Sequence, residues 1–309
     1  MKISPRLAAA VFALAAAVSP LRAEGPPWIP LGPFGGTVRH LTADPSTPGV
    51  VYATTADRGA FKSADGGATW TALIARPVVG AVAVDPSRPA TLYLTAWAAE
   101  GTLLKSTDGG ASWTPSNRGL EREAVASAVA VDPTRSSRVY LGTARGFFRS
   151  LNGGVTWRES QSFPETTVQA IAVPPRPAGV VFAATNAGLL RSTDAGATWK
   201  LARGLPASGG QSLAIAIAIA FAPSDPRTVY AGFLHQGVYR STDGGASWRR
   251  SGGSQPFAFL NALAVSSRSP RTVFAATNNG FYRSTNGGAS WTRTGPATDV
   301  LALAADPFS

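Results

Sequence analysis

The apolar positions of this chain fall in short runs that return in a fixed order. A small run rich in Ala and Val comes first, as in "HLTADP", "AVAVDP" (twice), "AIAVPP", "IAFAPSDP" and "ALAVSS". A β-branched or aromatic run follows, as in "VVYATT", "TLYLTA", "RVYLGT", "VVFAAT", "TVYAGF" and "TVFAAT". Two apolar residues and a basic one come next ("AFK", "LLK", "FFR", "LLR", "VYR", "FYR"), then a polar box, Ser-x-Asp/Asn-x-Gly-x-Thr/Ser-Trp. Gly, Pro, Asp and Asn punctuate the runs, which reads as strands joined by turns. The box tryptophans Trp70, Trp113, Trp157, Trp199, Trp248 and Trp291 stand 43, 44, 42, 49 and 43 residues apart. Each repeat therefore holds four short strands, designated A to D.

One four-stranded unit cannot bury both of its faces alone. Radial stacking buries them and leaves only short, protected edges, so the pattern predicts an all-β fold, a β-propeller. The β-branched runs and the 24 prolines exclude a helical repeat. Strand A, small and apolar, suits the centre where blades converge. Strand B carries Tyr52, Tyr93, Tyr140, Phe182, Tyr230 and Phe274 at one repeated place, which predicts packing between blades. Six repeats are complete. "WIPLG" at Trp28 resembles a strand D and "VLALAADP" at Val300 a strand A, so a partial seventh blade is expected. Six closed blades with spare edge strands are the alternative.

The box lies between strands C and D and reads as a hairpin connection. Asp65, Asp108, Asp194 and Asp243, with Asn152 and Asn286, can fold a side-chain oxygen onto nearby backbone N–H groups. One carboxylate per box, with Asn in two of them, is too few oxygen ligands for a calcium loop. The box is thus expected to be one structural part used six times, not a metal site or an active site.

"STDGGASW", at Ser106–Trp113 and again at Ser241–Trp248, resembles the Asp-box, or BNR repeat, of sialidase-type and sortilin-type propellers. "GVYRSTDGGASW" and "VAVDPSRPATLYLT" are similar to bacterial proteins related to photosystem II stability and assembly factors. The resemblance spans nearly all of residues 24–309 and implies the propeller fold. It also implies that the boxes lie away from the functional face, and it says little of activity, because enzymes and non-enzymes share the repeat. Sialidase chemistry would need an arginine triad, a Tyr nucleophile with a Glu partner and an Asp acid/base. "ARP" at Ala75–Pro77 departs from the Arg-Ile-Pro motif of that family, and all six tyrosines hold repeated strand B or C positions. Sialidase activity is therefore not expected. Propeller xyloglucanases use paired aspartates and two long propellers, and this chain has room for one propeller at most.

Composition narrows the rest. The 309 residues include no cysteine, which excludes disulfides and thiolate metal sites. Two histidines, His40 and His235, do not make a multi-histidine metal site, and no cofactor is expected. Lys2 and Arg6, the apolar run Leu7–Val18 and a cleavage point after Ala23 read as a secretory signal peptide over residues 1–23. A single propeller domain, 24–309, then follows, expected to be secreted or periplasmic and monomeric. Loss of the signal removes three basic groups (Lys2, Arg6, Arg22) and no acidic ones, taking the net charge from +11 to +8. The arginines are scattered and no nucleic-acid motif is present, so the expected partner is a protein or an anionic envelope component or glycan.

Strand direction places the A–B turns and the boxes on one face of the ring, and the B–C and D–A connections on the other. On that second face the residues outside the repeat are Trp97, Glu100, Asp57, Arg58, Arg118, Arg145 and His235, the candidate ligand-binding set. Asp57 and Glu100 fall in B–C loops of adjacent repeats. A glycoside hydrolase or lyase would need such a carboxylate pair across a cleft. That reading is the alternative to a non-catalytic binding or assembly module, and no catalytic residue is assigned. The basic residues before each box, Lys62, Lys105, Arg149, Arg191, Arg240 and Arg283, are expected to share one structural role.

Overall fold

A computed structural model describes residue 29 and residues 31–33, 36–75, 80–98, 101–120, 125–206, 214–252, 259–295 and 297–308. The repeated runs become 24 strands in six antiparallel sheets, the blades of a propeller, each formed by four strands in chain order. Blade one holds β1 (Val38–Ala43), β2 (Val51–Thr55), β3 (Gly59–Ser63) and β4 (Thr71–Ile74). Blade two holds β5 (Val82–Asp85), β6 (Arg88–Ala98), β7 (Gly101–Ser106) and β8 (Thr114–Pro115). Blade three holds β9 (Ala126–Val131), β10 (Val139–Thr143), β11 (Phe147–Ser150) and β12 (Arg158–Glu159). Blade four holds β13 (Val168–Ala172), β14 (Val181–Thr185), β15 (Gly188–Ser192) and β16 (Lys200–Leu201). Blade five holds β17 (Ala216–Ala222), β18 (Asp225–Phe233), β19 (Gly237–Ser241) and β20 (Arg249–Arg250). Blade six holds β21 (Leu260–Val265), β22 (Val273–Thr277), β23 (Gly280–Ser284) and β24 (Thr292–Arg293).

The B strands form the core layer. β10 and β14 are buried at every residue, as a strand covered on both faces must be. Tyr52, Tyr93, Tyr140, Phe182 and Tyr230 are at most 1% exposed. The Tyr93 hydroxyl donates to the Gly153 carbonyl in the box of blade three at 2.8 Å, and burial, with the Asp85 charge second, pushes its phenol up to about 12. The A–B turns are tied by buried aspartates. Asp44 accepts from Ser46 N and Thr47 N, and Asp132 from Thr134 N while facing the Arg138 guanidinium at 3.5 Å.

Each box is a closed hydrogen-bond circuit. In box two, Ser106 Oγ donates to Asp108 Oδ1 and accepts from Gly110 N; the carboxylate then accepts from Ser112 N and Ser112 Oγ. The other boxes repeat this. In the two Asn boxes the Nδ2 of Asn152 or Asn286 donates to the hydroxyl of Thr156 or Ser290 instead. These donors favour the ionised carboxylate. The Thr69 hydroxyl and amide, with Ser63, hold Asp65 down to about 2. At Asp194 burial opposes ionisation, but the Thr198 and Ser192 donors outweigh it and also bring the carboxyl to about 2.

The sign of the acid response follows. The folded-state values lie below the ordinary 3.8, so this stability is complete above about pH 4 and is lost as pH falls from there toward 2. Urea midpoints measured from pH 6 to pH 2 should fall along that limb. The fall should be shallower in an Asp65→Asn/Asp194→Asn double variant, because the amide makes the same circuit without titrating.

Blades are joined by a directional set of polar contacts, each reaching from one blade to the next in the chain. Lys105 Nζ donates to the Gly153 carbonyl at 2.7 Å, Arg149 Nη1 to the Ala195 carbonyl at 3.5 Å and Arg191 Nε to the Gly244 carbonyl at 3.1 Å. Lys105 and Arg191 also cover the strand B rings of their own blades, Tyr93 and Phe182. A serine after strand D makes a parallel link: Ser116 to Gly154 O, Ser160 to Gly196 O and Ser251 to Gly287 O.

No seventh sheet forms among the described residues. The strand A-like segment at Val300 is nonetheless held in place. Val300 N donates to Thr277 O, Asn261 Nδ2 donates to Val300 O, and Val300 and Leu303 pack against Ala276 and Phe281. Its continuation lies between β1 and β21, where Leu303, Ala304, Ala305 and Pro307 share a groove with Leu41, Ala43 and Leu263. Trp28 lies outside the described residues.

Candidate functional site

The B–C turns end on a buried threonine. Thr55 Oγ1 donates to Gly59 O and accepts from Arg58 N; Thr143 and Gly146 do the same in blade three. Thr185 with Gly188, and Thr277 with Gly280, repeat the bond. The hydroxyl satisfies turn groups that would otherwise be orphaned, so the turn is rigid and its tip residues project from it. Arg58 and Arg145 each stand immediately before the turn glycine and are exposed, as is Asp57. Phe233 replaces the threonine in blade five. There His235 adopts φ 59° and its exposed ring meets Phe259 of the next blade edge-on at 4.5 Å.

A second device brings further residues to this rim. Strand A carries a register shift near its first residues in five blades: between Val38 and His40, between Ala126 and Ala128, between Val168 and Ala170, between Ala216 and Ala218, and between Leu260 and Ala262. The skipped residues are Arg39, Ser127, Gln169, Ile217 and Asn261. Such bulges re-aim a side chain out of the ladder. Arg39 and Gln169 are exposed, and Gln169 Nε2 donates to Asn186 Oδ1 in the B–C turn of its blade at 2.8 Å. Asn261 donates to Asp299 Oδ1. Sequence reasoning missed Arg39 and Gln169, and the available signal was a polar residue at one repeated place in an otherwise small apolar strand. His40, next to Arg39, is packed within β1. Burial, with the Arg39 charge second, pulls its imidazole down to about 4, so it is neutral at ordinary pH.

The rim thus gathers Arg39, Arg58 and Asp57 on blade one, Arg145 on blade three, Gln169 and Asn186 on blade four, and the His235–Phe259 pair on blades five and six. The Arg118 carbonyl accepts from Trp157 N, so its backbone lies beside the box of blade three. Trp97 is near the end of β6, and its side chain lies outside the described residues, as does Glu100. Among the described residues no three His, Asp or Glu side chains gather in a way that could hold a metal ion. Chemically the rim is basic and amide-rich, suited to anionic and hydrogen-bonding groups.

A second cleft, of about 530 Å³, lies between blades one and two at Leu73, Leu104, Trp113 and Pro115. It is lined mainly by outer-strand apolar side chains and contains no candidate site residue. Among the described residues no helix is long and apolar enough to cross a membrane.

No known protein family and no curated protein matches the sequence. Solved structures match the fold. The GH74 xyloglucanase of Xanthomonas campestris superposes with a TM-score of 0.69 at 21% identity, over 89% of this chain and 50% of that one. YCF48 from Cyanidioschyzon merolae gives 0.61 at 16% identity over 84% of this chain and 85% of that one, and YCF48 bound to D1 peptide gives 0.59 at 15%. The extracellular domain of a putative hybrid two-component system of B. thetaiotaomicron gives 0.67 at 14%, over 89% of this chain and 36% of that one. This chain spans half or less of the GH74 enzymes it matches. What it shares with all of these is the β-propeller architecture.

Proposed function

We propose that the chain is an exported β-propeller that binds a protein partner through its B–C face and acts as a binding or assembly module rather than an enzyme. The observation that carries this reading is the rim itself: Arg39, Arg58 and Arg145 presented on turns and bulges fixed by buried threonines and ladder bonds. A rigid display of cations loses little conformational entropy on binding and favours an acidic segment. The likeness to YCF48 supports a protein partner, because that propeller matches over most of both chains and one of its structures holds a peptide. An acidic envelope glycan fits the same charges.

The test is a peptide array of acidic and neutral sequences probed with the purified chain. Acidic peptides should be retained, less so as salt rises, and an Arg58→Glu/Arg145→Glu variant should bind at least tenfold more weakly with an unchanged unfolding curve. The competing reading is a glycoside hydrolase, favoured by the likeness to GH74 enzymes and by Asp57 and Glu100 in neighbouring B–C loops. Reducing-sugar release from xyloglucan that disappears in Glu100→Gln would establish the hydrolase and overturn the binding module.

A further inference from the structure

Each box is tied to the A–B turn of its own blade by the same backbone bond. The first glycine place of the box donates its N–H to the carbonyl that ends the turn, as Gly109 does to Ala90, Gly153 to Ser137 and Gly244 to Arg227. The turns are fixed from within as well. Asp85 accepts from Ser87 N, Asp132 from Thr134 N, Asp225 from Arg227 N and Ser266 Oγ from Arg268 N. One end of the ring, opposite the B–C turns, therefore carries six rigid turns beside six boxes.

Five of the six turns present arginine. Arg88, Arg135, Arg176, Arg227 and Arg268 stand at or beside the A–B turns of consecutive blades two to six, with Arg271 next to the last, and all are exposed. The turn carboxylates are held inside while these guanidinium groups project into water. Asp44, Asp85 and Asp132 are at most 2% exposed, and Asp225 is engaged by Thr228 Oγ1 at 2.6 Å. Arg88 meets Asp85 at 3.2 Å, yet its side chain stays 63% exposed. The box aspartates belong to the C–D connections, farther from the centre where strands A converge, and are bound in their own circuits.

Box three departs from the other five at this same end. Its two variable places hold Leu151 and Val155, where the other boxes hold Ala or Thr at the first and Ala at the second. Leu151 is 56% and Val155 59% exposed. The circuit of this box is made by Ser150, Asn152 and Thr156, so the fold does not require either aliphatic side chain. Cations surround the pair. Gly153 between them accepts from Lys105 Nζ and donates to the turn that carries Arg135.

We infer that this end of the ring docks on an anionic lipid bilayer, with the arginines at headgroup level and Leu151 and Val155 inserted beneath it. A plane of negative charge meets all six guanidinium groups at once, whereas an extended acidic peptide meets only those along its path. Aliphatic side chains raised on a loop among cations add hydrocarbon burial to the charge attraction, the two signals that together hold a protein at a membrane surface. The B–C face then points away from the bilayer, open to a partner. The inference is independent of what that face binds.

The probes are vesicles of phosphatidylcholine alone and of phosphatidylcholine with phosphatidylglycerol in a two-to-one mixture, sedimented with the full chain. The chain should bind the mixed vesicles, pass by the neutral ones and lose affinity as salt rises. A basic group near such a surface adds about fivefold in affinity, so Arg135→Glu/Arg176→Glu/Arg268→Glu should bind about a hundredfold more weakly with an unchanged unfolding curve. Leu151→Thr/Val155→Ala, which installs the residues of box two, should weaken binding several-fold at every salt concentration. Arg58→Glu/Arg145→Glu should bind as the parent does, which separates this surface from the B–C face. The chain has no cysteine, so Leu151→Cys gives a single attachment point for an environment-sensitive dye. Its emission should shift to the blue on the mixed vesicles, and more than that of the same dye on Thr285→Cys, the equivalent place in box six. No binding, equal binding to both vesicles, binding indifferent to the arginine triple variant, or a Leu151 label that stays in water would each overturn the inference.

Discussion

Tyr93→Ala should lower the unfolding free energy by about 3–5 kcal/mol, the range for deleting a fully buried aromatic side chain. The ring is 1% exposed, its hydroxyl bonds the Gly153 carbonyl and Lys105 lies over its face. The substitution therefore leaves a cavity, removes a hydrogen bond and loosens a link between blades two and three. Phe274→Ala removes the ring at the same repeat position in blade six, where it is half-buried and stacks on Phe281 at 5.7 Å. There a cost of about 1–2 kcal/mol is expected, because water already reaches the ring and the void is not sealed. Urea unfolding of the two variants beside the parent chain measures both numbers. Equal losses would mean that blade six is closed as tightly as the others.

Gly245→Ala should cost about 2–5 kcal/mol, while Gly244→Ala costs about 1 kcal/mol. Both glycines hold positive φ, 71° and 80°, so both variants incur left-handed strain. They differ in what a methyl group meets. Nothing lies within 4 Å of a Cβ at Gly244, but at Gly245 it falls 2.5 Å from Cε1 of the fully buried Phe182 ring in blade four. The chain contains the control. Ala195 occupies the first glycine place of the fourth box at φ 57°, whereas the second place is glycine in all six boxes. Thermal or urea unfolding of the two variants should separate them clearly, and the reverse order would refute the packing role of the second glycine.

Most of the architecture was legible because it is repeated. Four runs per unit gave four strands, and the aromatic in the second run gave the interface layer. The box read as a local circuit because Ser, Asp and Thr at those spacings can reach one another's backbone. What escaped depends on geometry that spacing does not encode. Arg118 follows strand D, and the bond from Trp157 N that sets its backbone beside the next blade's box cannot be read from spacing. Arg39 and Gln169 looked like ordinary strand positions, since a one-residue shift in register is invisible until the ladder is seen. The basic residue before the box was expected to have one role, but its partner, a carbonyl across the blade boundary, lies 46 to 53 residues ahead in three cases. The candidate site is legible only in part for a similar reason: its residues come from blades far apart in sequence and share nothing but a place on the rim.

The forward reach of each blade onto the next gives the ring a beginning and an end. A ring closed by identical interfaces has no weakest place, and loss of any one blade requires breaking two full interfaces. Among the described residues no seventh sheet stands between blade six and blade one, where Phe274 and Val51 are half-buried although their counterparts in the other blades are closed. Opening can therefore start at either side of that boundary and run inward, as in a linear array whose terminal units fray first. Blades three and four, farthest from both ends, are the last to be reached.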